Sequence, residues 1–317
     1  MRIVHTDSFN AQEIEARFAD APKLDAPTMA RDYIHKMNEL AKLAGVSPRK
    51  AEKHPIYEHL DVLEAMFTQG EAANGLRPVG RFGPDPQSII RKLEEQLAAA
   101  SHFGYDNLYW LNDALYNELC SDAENLKFIR SRLPRPELFE ATIAEISYWG
   151  WLRQRGLAPK LSQAEGQPDI LVGVDKQDAP IYCDVKALLP GTKPSRVEEV
   201  ISKANSQLKV AGGDGVKGYC VLKVVPGSAY ADIDVVRAYE REATRVMRSK
   251  HCRSVNFVLL VWEAMEVKGN IPGWLTVVGT RRTTKVSHAA PRANVRLVGD
   301  LEPAATIKFD LYLAPQD

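Results

Sequence analysis

Gln167-Pro168-Asp169-Ile170-Leu171-Val172-Gly173-Val174 is an apolar run opened by a proline-aspartate pair. Four polar residues follow, Asp175-Lys176-Gln177-Asp178, and then a second run, Ala179-Pro180-Ile181-Tyr182-Cys183-Asp184-Val185-Lys186. Two short apolar runs around a polar centre predict a β-hairpin. Folding the runs back about the midpoint between Lys176 and Gln177 sets Asp169 opposite Asp184. Side chains alternate along a strand, so Asp184 and Lys186 share one face while Cys183 and Val185 take the other. The hairpin therefore sets two carboxylates side by side with a lysine next to them. Facing carboxylates in a half-buried sheet repel each other. A divalent cation removes that cost, and carboxylate oxygens are what magnesium prefers.

Working outward, the period is helical before the hairpin and mixed after it. Leu138, Thr142, Glu145, Trp149 and Leu152 recur at helical spacing in a predicted helix over 136–155 that stops at Gly156. Glu145 lies on its core-facing stripe. A glutamate there needs a partner, because an unpaired buried carboxylate is expensive. Glu140 is displaced from the stripe and is the weaker candidate. Further apolar runs at 218–225, 255–262 and 274–278, separated by helical stretches at 196–210 and 234–250, predict an α/β layered domain with the hairpin at its centre.

Pro134-Arg135-Pro136 is the clearest punctuation in the chain and marks a domain boundary. The organisation read from it is an arm or linker at 1–27, a helical domain at 28–133 and the α/β domain at 134–317. In the helical part, Met29, Tyr33, Met37, Leu40 and Leu43 form one helix face capped by Gly45, and another helix opens at Asp85-Pro86.

The helix carrying Glu145, then Pro168-Asp169, then Asp184-Val185-Lys186, resembles the PD-(D/E)XK nuclease superfamily of restriction endonucleases and Holliday-junction resolvases. The resemblance covers residues 137–225. It implies a restriction-endonuclease-like core and metal-dependent hydrolysis of nucleic-acid phosphodiesters. It casts the chain as a DNA endonuclease in restriction, defence or repair. Asp169, Asp184 and the carbonyl of Val185 would hold Mg2+, with Mn2+ as substitute. Glu145 would hold a second ion or its water. Lys186 would orient or help deprotonate the attacking water and stabilise charge on phosphorus. Lys203 and Gln207 are one turn apart on the helix after the second strand, where many relatives bring a polar residue to the site. The Gln-x-x-x-Tyr form of the recombination-nuclease branch is absent, since position 211 is Ala211. Relatives of this kind often act as homodimers on double-stranded DNA. Two alternatives stand beside this reading. Glu145 can be a buried glutamate satisfied by an arginine, and the whole core can be a silent scaffold that binds DNA or a protein.

The remaining features are less pointed. Residues 40–52 resemble a helix-turn-helix, with Arg49, Lys50 and Lys53 towards DNA, although Pro55 is expected to stop its second helix. Arg281, Arg282 and Lys285, followed by His288, Arg292 and Arg296, can track a phosphate backbone or form a solvated loop and strand face. His54 and His59 are five apart, the wrong step for a shared zinc face. The tryptophans read as core. There is no glycine-rich phosphate loop.

Over 317 residues, 41 lysines and arginines cancel 41 aspartates and glutamates, so any nucleic-acid surface must be local. Four separated cysteines read as reduced, mostly buried thiols of a cytoplasmic protein. The first seven residues lack a signal-peptide core, and no apolar run is long enough to span a bilayer.

Overall fold

The structure, a computed structural model, describes residues 26–47, 54–57, 60, 113–154, 156–162, 166–174, 180–212, 217–225, 233–249, 252–271, 274–287 and 306–312. Several expectations lie outside these residues: most of the 1–27 arm, the helix at Asp85-Pro86, Trp110, Arg49, Lys50, Lys53, His59, the 175–178 turn, and His288, Arg292 and Arg296.

The chain is α/β around a mixed sheet. Helices α1 (Ala26–Ala44), α2 (Asp113–Ser121) and α3 (Ala123–Arg132) lead into a 3-10 turn (Pro136–Leu138) and α4 (Phe139–Gln154). Then come β1 (Lys160–Leu161), β2 (Ile170–Val174), β3 (Pro180–Leu188), α5 (Arg196–Gly212), β4 (Lys217–Val224), α6 (Ile233–Arg248), β5 (Val255–Ile271), β6 (Trp274–Ser287) and β7 (Thr306–Tyr312). The seven described strands lie in sequence order across one sheet. β3, β4 and β5 are parallel, and the flanking pairs are antiparallel. The hairpin β2–β3 therefore sits to one side of the middle, and the parallel strands take the centre. Their near-continuous apolar sequence suits burial on both faces.

The two crossover helices cover one face. Val197, Ile201 and Leu208 of α5 and Tyr239, Val246 and Met247 of α6 pack on Cys220, Leu222, Val258 and Leu260. The other face is covered from before the sheet. Met37, Leu40, Phe128 and Leu133 share a core with Trp149 of α4 and with Val185, Tyr219 and Leu259 of the strands. Residues on both sides of Pro134 thus contribute to one buried cluster.

α4 is wedged between helices and sheet. All residues from 142 to 152 are buried, so the apolar stripe read from the sequence is only part of a helix enclosed on every side. Gly156, at φ +77°, ends it. Its N–H meets the Arg153 carbonyl at 2.9 Å, and the Leu157 N–H meets that of Leu152 at 3.3 Å, a left-handed cap that favours glycine. The same arrangement at Gly45 closes α1.

Pro55 begins a helical turn, while the residues 48–53 of the expected second helix lie outside the described ones. Residues 55–57 are helical, the His54 carbonyl accepts from the Tyr57 N–H at 3.1 Å, and His54 Nδ1 accepts from the Ile56 N–H at 3.3 Å. Proline fits a first helical position because no bond is asked of its nitrogen there. The 255–262 and 274–278 runs are likewise only the starts of longer strands. β5 and β6 pair over most of their lengths.

Gly218 opens the buried part of β4 under α5. A Cβ there would lie 2.3 Å from Leu208 Cδ2 and 2.9 Å from its Cδ1. Gly218→Ala is expected to destabilise the fold by about 1–3 kcal/mol, the usual cost of overpacking. Urea denaturation checks this, and a midpoint equal to wild type would show that Leu208 swings aside freely.

Candidate active site

The hairpin register decides the site. Ile170 pairs with Cys183 and Leu171 with Tyr182, so the next rung outward matches Asp169 with Asp184, as folding about the Lys176–Gln177 midpoint requires. Towards the turn the register slips by one at a bulge between Leu171 and Gly173. The slip lies beyond the rungs that carry the chemistry.

Asp184 is completely buried, and Asp169 nearly so. Lys186 reaches both carboxylates. Its Nζ donates to Asp184 Oδ1 at 2.7 Å and to Asp169 Oδ2 at 3.0 Å. Asp169 Oδ2 also accepts from the Val185 backbone N–H at 2.8 Å. Asp169 is therefore fixed before any ligand arrives, by a main-chain donor on the strand that carries its partner. Gln207 contributes from α5: its Nε2 donates to the Gln167 carbonyl at 2.9 Å, two residues before Asp169.

Glu145 is 1% exposed, and its Oε1 accepts from Arg132 NH2 at 2.5 Å. The plain alternative, a buried glutamate held by an arginine, describes one of its two oxygens. Glu145 Oε2 and Asp184 Oδ2 are both buried and have no hydrogen-bond partner. Such atoms are rare in folded proteins and call for a ligand or water.

The charges are coupled. Burial, and then the carboxylate of Asp169, push Glu145 well above the usual glutamate range. The same two causes push Asp184 up to about 8. Burial alone would lower Lys186, but the carboxylates of Asp169 and Asp184 outweigh it and raise the lysine above its ordinary value. Lys186 in this arrangement is an ammonium. The two carboxylates that touch the amine favour that form.

A pH dependence follows. A carboxyl raised from 3.8 to about 8 favours the folded state while it keeps its proton. That contribution is whole below pH 4 and is lost as pH rises through about 8. Glu145 acts in the same direction, and the raised Lys186 has no effect until pH passes the ordinary lysine value. The metal-free protein is expected to lose thermal stability between pH 5 and pH 8.5, and Asp184→Asn to flatten that loss. Parallel melting curves for the two would contradict the assignment.

The other candidate residues are dispersed. Lys203 is exposed on α5. Arg281 and Arg282 lie in β6, where their backbones pair with Glu263 and Trp262. Lys285 belongs to the same strand, half-buried, with its ammonium 4.4 Å from the centre of the Phe257 ring. Burial lowers its pKa. A lysine packed on an aromatic ring is not part of a solvated loop, and alternation along β6 is what turns it inward. Trp149, Trp151 and Trp262 are core, and all four cysteines are free thiols. Arg132 was missed by sequence reading. Its only local signal is the Phe128–Arg132 step at the end of α3, where the guanidinium lies 4.9 Å from the ring centre.

Among the described residues, no three His, Cys, Asp or Glu side chains are gathered closely enough to hold a metal by themselves. Nor is any helix long and apolar enough to cross a membrane. Comparison of the chain with protein-family models, curated proteins and solved structures finds no match.

Proposed function

We propose that this chain is a metal-dependent nuclease that hydrolyses DNA phosphodiesters from within the strand, on a core of the restriction-endonuclease-like kind. The observation that carries the reading is the convergence of Asp169 and Asp184 on Lys186, with a buried, unpartnered oxygen left on Asp184. A core selected for stability alone has little reason to set two carboxylates against each other and leave one lobe unpaired. The order of helix, hairpin, crossover helix and parallel strand around these residues supports the same reading.

The donor set fits a hard cation such as Mg2+ or Mn2+. It is made of oxygens only, and magnesium commonly takes one or two carboxylates and completes its octahedron with waters and phosphate. Three close protein ligands are therefore not required. Asp169 and Asp184 would hold the ion and Glu145 would flank it, with the Val185 carbonyl as a further oxygen. The ion would lower the pKa of a bound water and neutralise charge on the phosphoryl group. Lys186, an ammonium, would orient a phosphate oxygen and stabilise the charge that develops there. The Val185 N–H would keep Asp169 aimed during turnover. Gln207 would hold the segment entering β2.

A second reading has an observation of its own. Lys186 already bridges the carboxylates and Arg132 already grips Glu145, so the cluster is partly neutralised from within. That would suit a silent scaffold that binds DNA or a protein partner. The test is supercoiled plasmid with Mg2+ or Mn2+, wild type beside Asp184→Asn. Cleavage by wild type alone supports the nuclease. Cleavage by neither, with no cation-induced rise in melting temperature, supports the scaffold.

A further inference from the structure

Arg132 closes α3, and that end of the helix is pinned from several directions. Phe128, Ile129 and Leu133 are fully buried. His54 Nε2 donates to the Leu133 carbonyl at 2.8 Å, and Arg130 Nε donates to the Leu43 carbonyl at 3.0 Å. The guanidinium rests on the Phe128 ring and reaches Glu145, thirteen residues on, through NH2 alone. An arginine and a carboxylate usually pair through two parallel hydrogen bonds. Here one bond is made, and the two atoms that could complete the fork, Arg132 Nε and Glu145 Oε2, are each buried without a partner. A counter-ion serving only stability would gain by closing the fork. A single grip has another consequence: it settles one carboxylate oxygen and leaves the other for a different ligand. Ala144 and Ile146, on either side of Glu145, share one buried cluster with Ile170 and Val185, the neighbours of Asp169 and Asp184, so that ligand would be shared with the hairpin.

We propose that Arg132, carried by the helices that precede the sheet, is a positioning residue of the site: it holds one oxygen of Glu145 so that the other is offered to a water of the cation held by Asp169 and Asp184. This rests on the nuclease reading and deepens it. The helical segment becomes part of the active site rather than an appended module, and movement of α3 is felt at the cation. Partners that orient metal ligands commonly change metal affinity or activity by about 10–100-fold when removed.

The test titrates MnCl2 into wild type, Arg132→Lys, Arg132→Met and Glu145→Gln, following melting temperature, and measures kcat and KM on plasmid. Arg132→Met is expected to weaken Mn2+ binding and lower kcat, each by about tenfold or more, with KM for DNA within about twofold. Arg132→Lys should recover part of both losses. Adding Arg132→Met to Glu145→Gln should cost little further, because both act on the same oxygen. Wild-type Mn2+ affinity and kcat in Arg132→Met would overturn the proposal. So would a change confined to KM, which would make Arg132 a substrate contact. If Arg132→Met does not fold, the double variant, which removes both buried charges, is compared with Glu145→Gln alone: equal Mn2+ affinity supports the proposal and a further loss overturns it. Failure of the parent reading looks different. Wild type would then show no response to Mn2+ and would match Asp184→Asn.

Discussion

Asp184→Asn is expected to lower metal-dependent cleavage of plasmid DNA by about a thousandfold or more while leaving the fold intact. The magnitude follows from what a correctly held cation contributes, several kcal/mol of charge stabilisation, at about 1.4 kcal/mol for each tenfold in rate. Asparagine matches aspartate in shape and keeps an oxygen that the Lys186 ammonium can still meet. What it removes is a negative charge with no exposure to solvent. Because burial and Asp169 already oppose that charge, the variant is expected to melt at or above the wild-type temperature at pH 8 in the absence of cation. Loss of cleavage with retained or raised stability would separate a chemical role from a structural one. A plasmid assay and a melting curve on the same preparation decide it, and undiminished cleavage would remove Asp184 from the site.

Lys186→Met is expected to destabilise the metal-free protein by about 3 kcal/mol at pH 8, the order seen when one partner of a buried ion pair is removed. The Lys186 side chain is 20% exposed and touches two carboxylates, one of them completely buried. Without the ammonium, Asp169 and Asp184 face each other with only the Val185 N–H between Asp169 and an uncompensated charge. At pH 5 the cost should shrink, since a proton on Asp184 then does part of the lysine's work. At pH 8, saturating Mn2+ should restore much of the lost stability without restoring cleavage. Urea denaturation at the two pH values, with and without Mn2+, reads all of this. A loss that ignores both pH and cation would point to packing of the lysine stem instead.

The two expectations concern residues that sequence reading had brought together, and the reason is local. A hairpin is closed by a short turn, and its side chains alternate with a period of two. Asp169, Asp184 and Lys186 could therefore be set in register by counting outward from a polar centre. The rungs nearest the turn centre on Gln177 and not on the midpoint used for the count, and the bulge between Leu171 and Gly173 shifts the register back, so Asp169 still meets Asp184. Caps were readable for a similar reason: the left-handed turns at Gly45 and Gly156 need only the glycine and the helix before it.

Elsewhere, nearby residues were not enough. Apolar runs marked the starts of β5 and β6 but not their lengths, since the second half of β5, Glu263 to Ile271, mixes charged, apolar and glycine residues without a clean period and is extended by pairing with β6. Lys285 read as part of a basic run because its neighbours in sequence are basic, yet its neighbour in space is Phe257. The stripe on α4 was visible, but its complete enclosure required knowing that helices close over it from one side and the sheet from the other.

By itself the sequence determined the α/β class, the glycine caps at Gly45 and Gly156, and the facing of Asp169 and Asp184 beside Lys186. All of these depend on chain geometry over a few residues. Only the tertiary structure decided how those charges are held: the complete burial of Asp184, the two carboxylates on the Lys186 amine, and the single bond from Arg132 that takes one oxygen of Glu145. Solvent exclusion and charge coupling depend on every group packed around a site, and those groups come from α3, α4 and two strands whose order in the chain says nothing of their distance in space.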